Sequence, residues 1–185
     1  MEIPGKALRP YQARLVTDVC RAAGDVLVEQ PTGSGKTMQI VTLVALHLGR
    51  RFSHALISAP QEQIEHGFVH RDYQRVDWSR QDGVAVPSVA VPEEIILAAR
   101  KSDLGSVRQI RSYLRLPGPL DHALACTHAA LNCLTAEDLP ADLSGKALFL
   151  DEAHHASAER TSAQAMVSKS DRDLYKSSPT RRRRI

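Results

Sequence analysis

Aromatic residues make up only 4% of this 185-residue chain, and no stretch of eighteen consecutive apolar residues occurs in it. A membrane-spanning helix needs about that length, so a membrane partner is excluded. An apolar leader is not expected either, because Pro4, Gly5 and Lys6 interrupt the first ten residues. Cysteine is scarce as well. Cys20, Cys126 and Cys133 are odd in number and follow neither a pairing nor a metal-ligand spacing, which excludes a disulfide framework and fits a reducing, cytoplasmic setting. Strong net charge is also missing. The formal +3 is uneven, since residues 169–185 hold seven basic against two acidic residues and leave about −2 on the 168 residues before them. A basic surface over the whole body is thereby excluded, and any nucleic-acid contact must be local. The block Arg181–Arg184 reads as a solvated, disordered end. Residues 1–168 are therefore expected to form the domain, with 169–185 as its tail.

What the chain does have is a 43% hydrophobic content, enough for one domain with a real core. Its organising stretch is Gln30-Pro31-Thr32-Gly33-Ser34-Gly35-Lys36-Thr37, where an apolar run ends and a helical pattern begins. The run Val26-Leu27-Val28 predicts a strand, and Thr37–Leu48 predicts a helix that is apolar on most of its surface and so packs against a sheet. A strand that turns through glycines into a helix leaves several backbone N–H groups aimed at one point, where an anion belongs. In that arrangement Gly33 and Gly35 let the backbone wrap phosphate oxygens. Lys36 reaches the β- and γ-phosphates, and the Thr37 hydroxyl holds Mg²⁺. The full phosphate-loop pattern asks for glycine where Gln30 stands.

Upstream, Leu8-Arg9-Pro10-Tyr11-Gln12 leads into apolar positions at Leu15, Val16, Val19 and Ala22, a helical spacing with Pro10 in the first turn and Gly24 at the stop. Gln12 carries a donor and an acceptor that suit the N6 and N7 edge of adenine. Downstream, Ala55–Pro60 predicts a buried strand and Gln61–Arg75 a helix carrying His66 and His70, which read as solvated because no third ligand joins them. Residues 81–93 suggest a short strand or extended connector, Glu93–Lys101 and Val107–Leu116 two helices, Ala123–Thr127 a short strand, and His128–Leu134 another helix. A polar loop spans Thr135–Gly145, and no internal repeat occurs.

The second chemical stretch is Ala147-Leu148-Phe149-Leu150-Asp151-Glu152. Four apolar residues predict a buried parallel strand with two carboxylates at its C-terminal end, the end at which open α/β sheets bind ligands. Asp151 suits Mg²⁺ that bridges phosphates, and Glu152 suits the orientation and deprotonation of an attacking water. Adjacent residues at a strand end point in different directions, which lets the two carboxylates divide those tasks.

With these residues in view, the chain resembles the superfamily 2 helicases and translocases. PTGSGKT at Pro31–Thr37 and DEAH at Asp151–His154 are similar to motifs I and II of that group. LRPYQ at Leu8–Gln12 resembles the adenine-recognition element of the branch containing DNA repair helicases and restriction-enzyme motor subunits. LISAP at Leu56–Pro60 and ACTHAAL at Ala125–Leu131 resemble the strand-contact motifs, and the resemblance runs from residue 8 to about 165. It implies an α/β, RecA-like P-loop domain with a mainly parallel sheet flanked by helices, with ATP and Mg²⁺ as cofactors. Gln12 is placed at the base, Thr32, Gly33, Ser34, Gly35, Lys36 and Thr37 around the phosphates and metal, Asp151 at the metal and Glu152 at the water. His154 would adjoin the nucleotide site and couple it to the neighbouring motif. Ser58, Ala59, Pro60 and Thr127 would touch nucleic-acid phosphates, which position a strand without reading its sequence. The resemblance favours DNA over RNA as the track.

The family pattern breaks after motif II. Ser177-Ser178-Pro179-Thr180 stands near where a Ser/Thr-Ala-Thr element is expected and does not match it, and the basic run after Lys169 suggests a truncated product or a shifted reading frame. A second RecA-like domain, with the arginine finger it supplies, is then expected from a partner. An arginine finger is worth about 10³ to 10⁵ in turnover, so this domain alone is expected to bind ATP and hydrolyse it very slowly. Two functions stay open on the sequence: half of an ATP-driven DNA translocase, or a nucleotide- or nucleic-acid-binding module that never turns over.

Overall fold

A computed structural model describes residues 6–31, 33–60, 67–69, 74–77, 88–99 and 103–152. Its strands are β1 (Lys6–Ala7), β2 (His54–Ala59), β3 (Arg75–Asp77), β4 (Ser88–Ala90), β5 (Ile96–Ala98), β6 (Ala123–Thr127) and β7 (Lys146–Leu150). The helices are α1 (Pro10–Arg21), α2 (Lys36–His47), α3 (Asp103–Arg115) and α4 (His128–Asn132). The main sheet has the order β5-β6-β2-β7 and is parallel throughout, with Leu56 opposite Leu124 on one side and Leu148 on the other. A smaller sheet, β1-β3-β4, pairs parallel and then antiparallel.

A parallel sheet is covered on both faces, and successive side chains of one strand alternate between them. Ala55, Ile57 and Ala59 of β2 and Ala123 and Ala125 of β6 face α1 and α2, meeting Val16, Val41 and Val44. Leu56, Leu124 and Cys126 face α3 and α4, meeting Ile110, Leu114 and Leu131. Tyr113 of α3 is buried at the N-terminal end of β2, where its hydroxyl accepts from the Ala55 N–H at 3.1 Å and lies 3.1 Å and 2.9 Å from the Ala55 and His122 carbonyls. At the far end of α1, the Arg51 guanidinium donates to the carbonyls of Cys20 and Ala22 at 2.7 Å and 2.6 Å, a cation on a helix C-terminus. Among the described residues no helix is long and apolar enough to cross a membrane.

Several expectations change. Val26–Val28 is not a strand: Leu27 makes only an isolated bridge and is 50% exposed. A strand is buried by neighbours on either side, and the described residues supply no ladder to this run. Ile96–Ala98 lies inside the segment expected as the helix Glu93–Lys101 but is a strand, because pairing with β6 satisfies its backbone and buries Ile96. The third helix begins at Asp103 rather than Val107. Arg75, expected at the end of a helix, starts β3. β7 is parallel as expected but only half-buried along its length. His66, His70, Thr32, His154 and the tail from 169 lie outside the described residues.

Candidate nucleotide-binding site

The loop between residues 30 and 36 is shaped by its glycines and held from beneath by α1. Gly33 and Gly35 adopt φ of 79° and 81°, and Gly35 starts α2 from the left-handed region. Pro10 opens α1, so the helix's first turn presents Tyr11 and Gln12 to the loop. The Tyr11 hydroxyl and the Gln12 amide each donate to the Ser34 carbonyl at 2.7 Å. The other end of the Gln12 side chain accepts from the Arg9 N–H at 2.8 Å. A Cβ at Gly35 would lie 2.4 Å from the Gln12 Nε2, so any side chain there would have to displace the Gln12 amide from the loop. Gln30, standing where the loop pattern asks for glycine, accepts from the Ser34 hydroxyl at 3.2 Å.

Beside the loop is an open cleft of about 430 Å³, lined by Arg9, Tyr11, Gln30, Pro31, Gly33 and Ser34. Gln12 is 4% exposed and sits under the loop rather than in the cleft wall. Arg9 and Tyr11, by contrast, line the cleft wall. Both stand in the same LRPYQ segment as Gln12.

The two chemical segments meet although 115 residues separate them. Lys36, the first residue of α2, places its amine 2.5 Å from the Glu152 carboxylate. Thr37 follows on the same turn and is half-buried. Asp151 is 6% exposed, and its Oδ1 has no hydrogen-bond partner among the described residues. Burial pushes its carboxyl above the usual range, with Lys36 opposing and Glu152 reinforcing that shift. A buried carboxylate oxygen without a proton donor is the environment a divalent cation relieves, so the residues present fit Mg²⁺. No three His, Cys, Asp or Glu side chains cluster among the described residues. That is compatible with an ion held through one carboxylate, a hydroxyl and water.

Glu152 itself is unusual in its backbone. Its φ is 51°, the left-handed region, which costs an ordinary residue about 1–3 kcal/mol and persists only where its surroundings impose it. Here the Asp151 N–H donates to the Ser58 carbonyl at 2.9 Å, and the Asp151 carbonyl accepts from the His128 ring at 2.9 Å.

The segments expected to contact nucleic acid separate into two groups. Ser58 is fully buried and Ala59 is 1% exposed, because β2 lies between β6 and β7 with helices over both faces. Their side chains are corrected to interior positions, and the Ser58 hydroxyl is used on His128 at 2.7 Å. Pro60 and Thr127 remain partly exposed at the C-terminal rim of the sheet. Thr127 also caps α4, its hydroxyl accepting from the Ala130 N–H at 3.2 Å. His128 was missed by sequence reasoning. The available signal was a polar residue between a buried strand and an apolar helix.

A protein-family model described as type III restriction enzyme, res subunit, matches residues 5–176. Neither a curated protein nor a solved structure matches the chain.

Proposed function

The chain belongs to the family of the type III restriction enzyme res subunit and carries its helicase-like ATP-binding domain, a RecA-like P-loop fold, and we propose that it works as the first motor half of a DEAH-type DNA translocase. The observation that carries this reading is the contact of Lys36 with Glu152 beside the unpartnered Asp151 carboxylate. A phosphate-binding cation and a water-activating acid belong within one ångström-scale site, and here two distant segments supply them.

Lys36 is paired with Glu152. A triphosphate offers Lys36 more negative charge than one carboxylate does, so Lys36 can turn from Glu152 to the phosphates. Glu152 can then accept a proton from a water placed in line with the terminal phosphate. The glycine backbone of the loop and the N-terminal turn of α2 hold the β-phosphate, while Arg9 and Tyr11 face the cleft that would receive the base. Thr37 and Asp151 would hold Mg²⁺, which when bound neutralises charge on the phosphate oxygens. Pro60 and Thr127 offer the exposed rim for a DNA backbone. Turnover at a useful rate draws on a second RecA-like domain, which would deliver an arginine across the cleft and add about 10³ to 10⁵ in rate.

The other reading, a module that binds nucleotide without turnover, draws on the same ion pair, which keeps the acid covered. A titration of the purified chain with ATP and magnesium, followed by hydrolysis with and without single-stranded DNA, separates the two. Binding that is lost in Lys36→Ala, together with DNA-stimulated hydrolysis that is lost in Glu152→Gln while binding persists, is expected. Tight binding with no hydrolysis under any condition would remove the motor reading.

A further inference from the structure

The nucleotide chemistry above makes no use of His128, yet this imidazole joins the end of β2 to the turn that carries the acid. His128 is 6% exposed. Its Nε2 lies 2.9 Å from the Asp151 carbonyl oxygen and its Nδ1 2.7 Å from the Ser58 hydroxyl. A carbonyl can only accept, so Nε2 bears the proton and donates. In the neutral ring Nδ1 then accepts from the Ser58 O–H. The tautomer follows from the partners.

The position of that carbonyl matters because it shares one planar peptide with the Glu152 N–H. Tethering the oxygen fixes the plane about which the Glu152 φ of 51° is set, and with it the direction in which the side chain leaves the backbone. Ser58 holds the same turn a second time through its own carbonyl, which accepts from the Asp151 N–H at 2.9 Å. Ser58 lies two residues before Pro60, and His128 directly follows Thr127. The C-terminal ends of β2 and β6 and the acidic turn are therefore one hydrogen-bonded unit, with His128 at its centre.

We propose that His128 is a positioning residue that aims the Glu152 carboxylate through the Asp151 peptide and passes to it displacements of the β2 and β6 ends. The inference rests on the role given to Glu152 under the proposed function. Two amide substitutions separate these two hydrogen bonds. His128→Gln keeps a donor near the Nε2 position and loses the acceptor toward Ser58, whereas His128→Asn keeps an acceptor near Nδ1 and loses the donor toward Asp151.

The test uses the full chain in excess over ATP, with hydrolysis followed in the presence and absence of an oligodeoxythymidine and with ATP affinity and thermal midpoint measured on each variant. A misplacement of a catalytic group by about 1 Å costs on the order of 10²-fold, so His128→Asn is expected to slow hydrolysis by roughly that factor while ATP affinity stays close to wild type. His128→Gln is expected to keep the basal rate and lose the stimulation by the oligonucleotide. Equal rates in wild type and His128→Asn overturn the inference. An equal loss in both variants that follows the thermal midpoint also overturns it, since that marks a side chain serving only the fold. A wild-type chain that binds no ATP, or binds it without measurable hydrolysis, overturns the proposed function first and this inference with it, which distinguishes the two failures.

Discussion

Two loop glycines make a controlled comparison, because they share a backbone conformation and differ in surroundings. Gly33 and Gly35 both lie in the left-handed region, but a Cβ at Gly33 meets nothing within 4 Å, whereas one at Gly35 meets the Gln12 amide at 2.4 Å. Gly33→Ala is expected to carry only the backbone cost, about 1–2 kcal/mol. Gly35→Ala adds displacement of Gln12, which also holds the Ser34 carbonyl, so it should lower the thermal midpoint further and abolish nucleotide binding. Thermal unfolding and an ATP titration of the two variants check the order. Asp151 gives the opposite kind of residue effect. Its carboxyl is pushed above the usual range by burial, so the charged form weighs against the fold at neutral pH, and that weight is lifted as pH falls through its raised pKa. Asp151→Asn removes the charge. This variant is therefore expected to melt higher without nucleotide while losing magnesium-dependent ATP binding, as a thermal scan and an ATP titration would show.

Among the elements, α3 is hydrogen-bonded to β2 through the Tyr113 hydroxyl. Burial pushes the Tyr113 hydroxyl up to about 12, with the Ala55 hydrogen bond opposing and Asp121 reinforcing. In the unfolded chain a tyrosine ionises near 10, so between about pH 10 and 12 the unfolded state sheds a proton that the folded state retains, and stability falls. Tyr113→Phe should be less stable near neutral pH and lose less stability over that alkaline window, as denaturant midpoints against pH would show. The elements also differ in how legible they were. α1, α2, β2, β6 and the acidic end of β7 could be read because period and turn residues agreed with the final packing. β5 could not, since Ile95, Ile96 and Leu97 suit a helix or a strand equally and only pairing with β6 decides between them. Val26–Val28 misled in the other direction, as its β-branched composition signals a strand only where neighbours complete the ladder. At the site, Lys36, Asp151 and Glu152 were legible from local motifs. The inward turn of Ser58 and the bridge through His128 were not, because both depend on which strand stands beside which.

Across the whole molecule, the main sheet ends at β7, whose outer side has no paired strand among the described residues. Leu148, Phe149 and Leu150 there are only half-buried, and an uncovered apolar edge is a template for another chain. The purified protein is therefore expected to self-associate, and light scattering across a concentration series that reported a monodisperse monomer would contradict this. The left-handed Glu152 has a reach beyond this molecule as well. Folding alone would favour glycine or asparagine at that position, so each generation in which hydrolysis brought no advantage would tend to lose the glutamate. A related chain that kept the loop lysine but carried glycine at the corresponding place would be a nucleotide binder descended from a motor, and the substitution would date the change of trade.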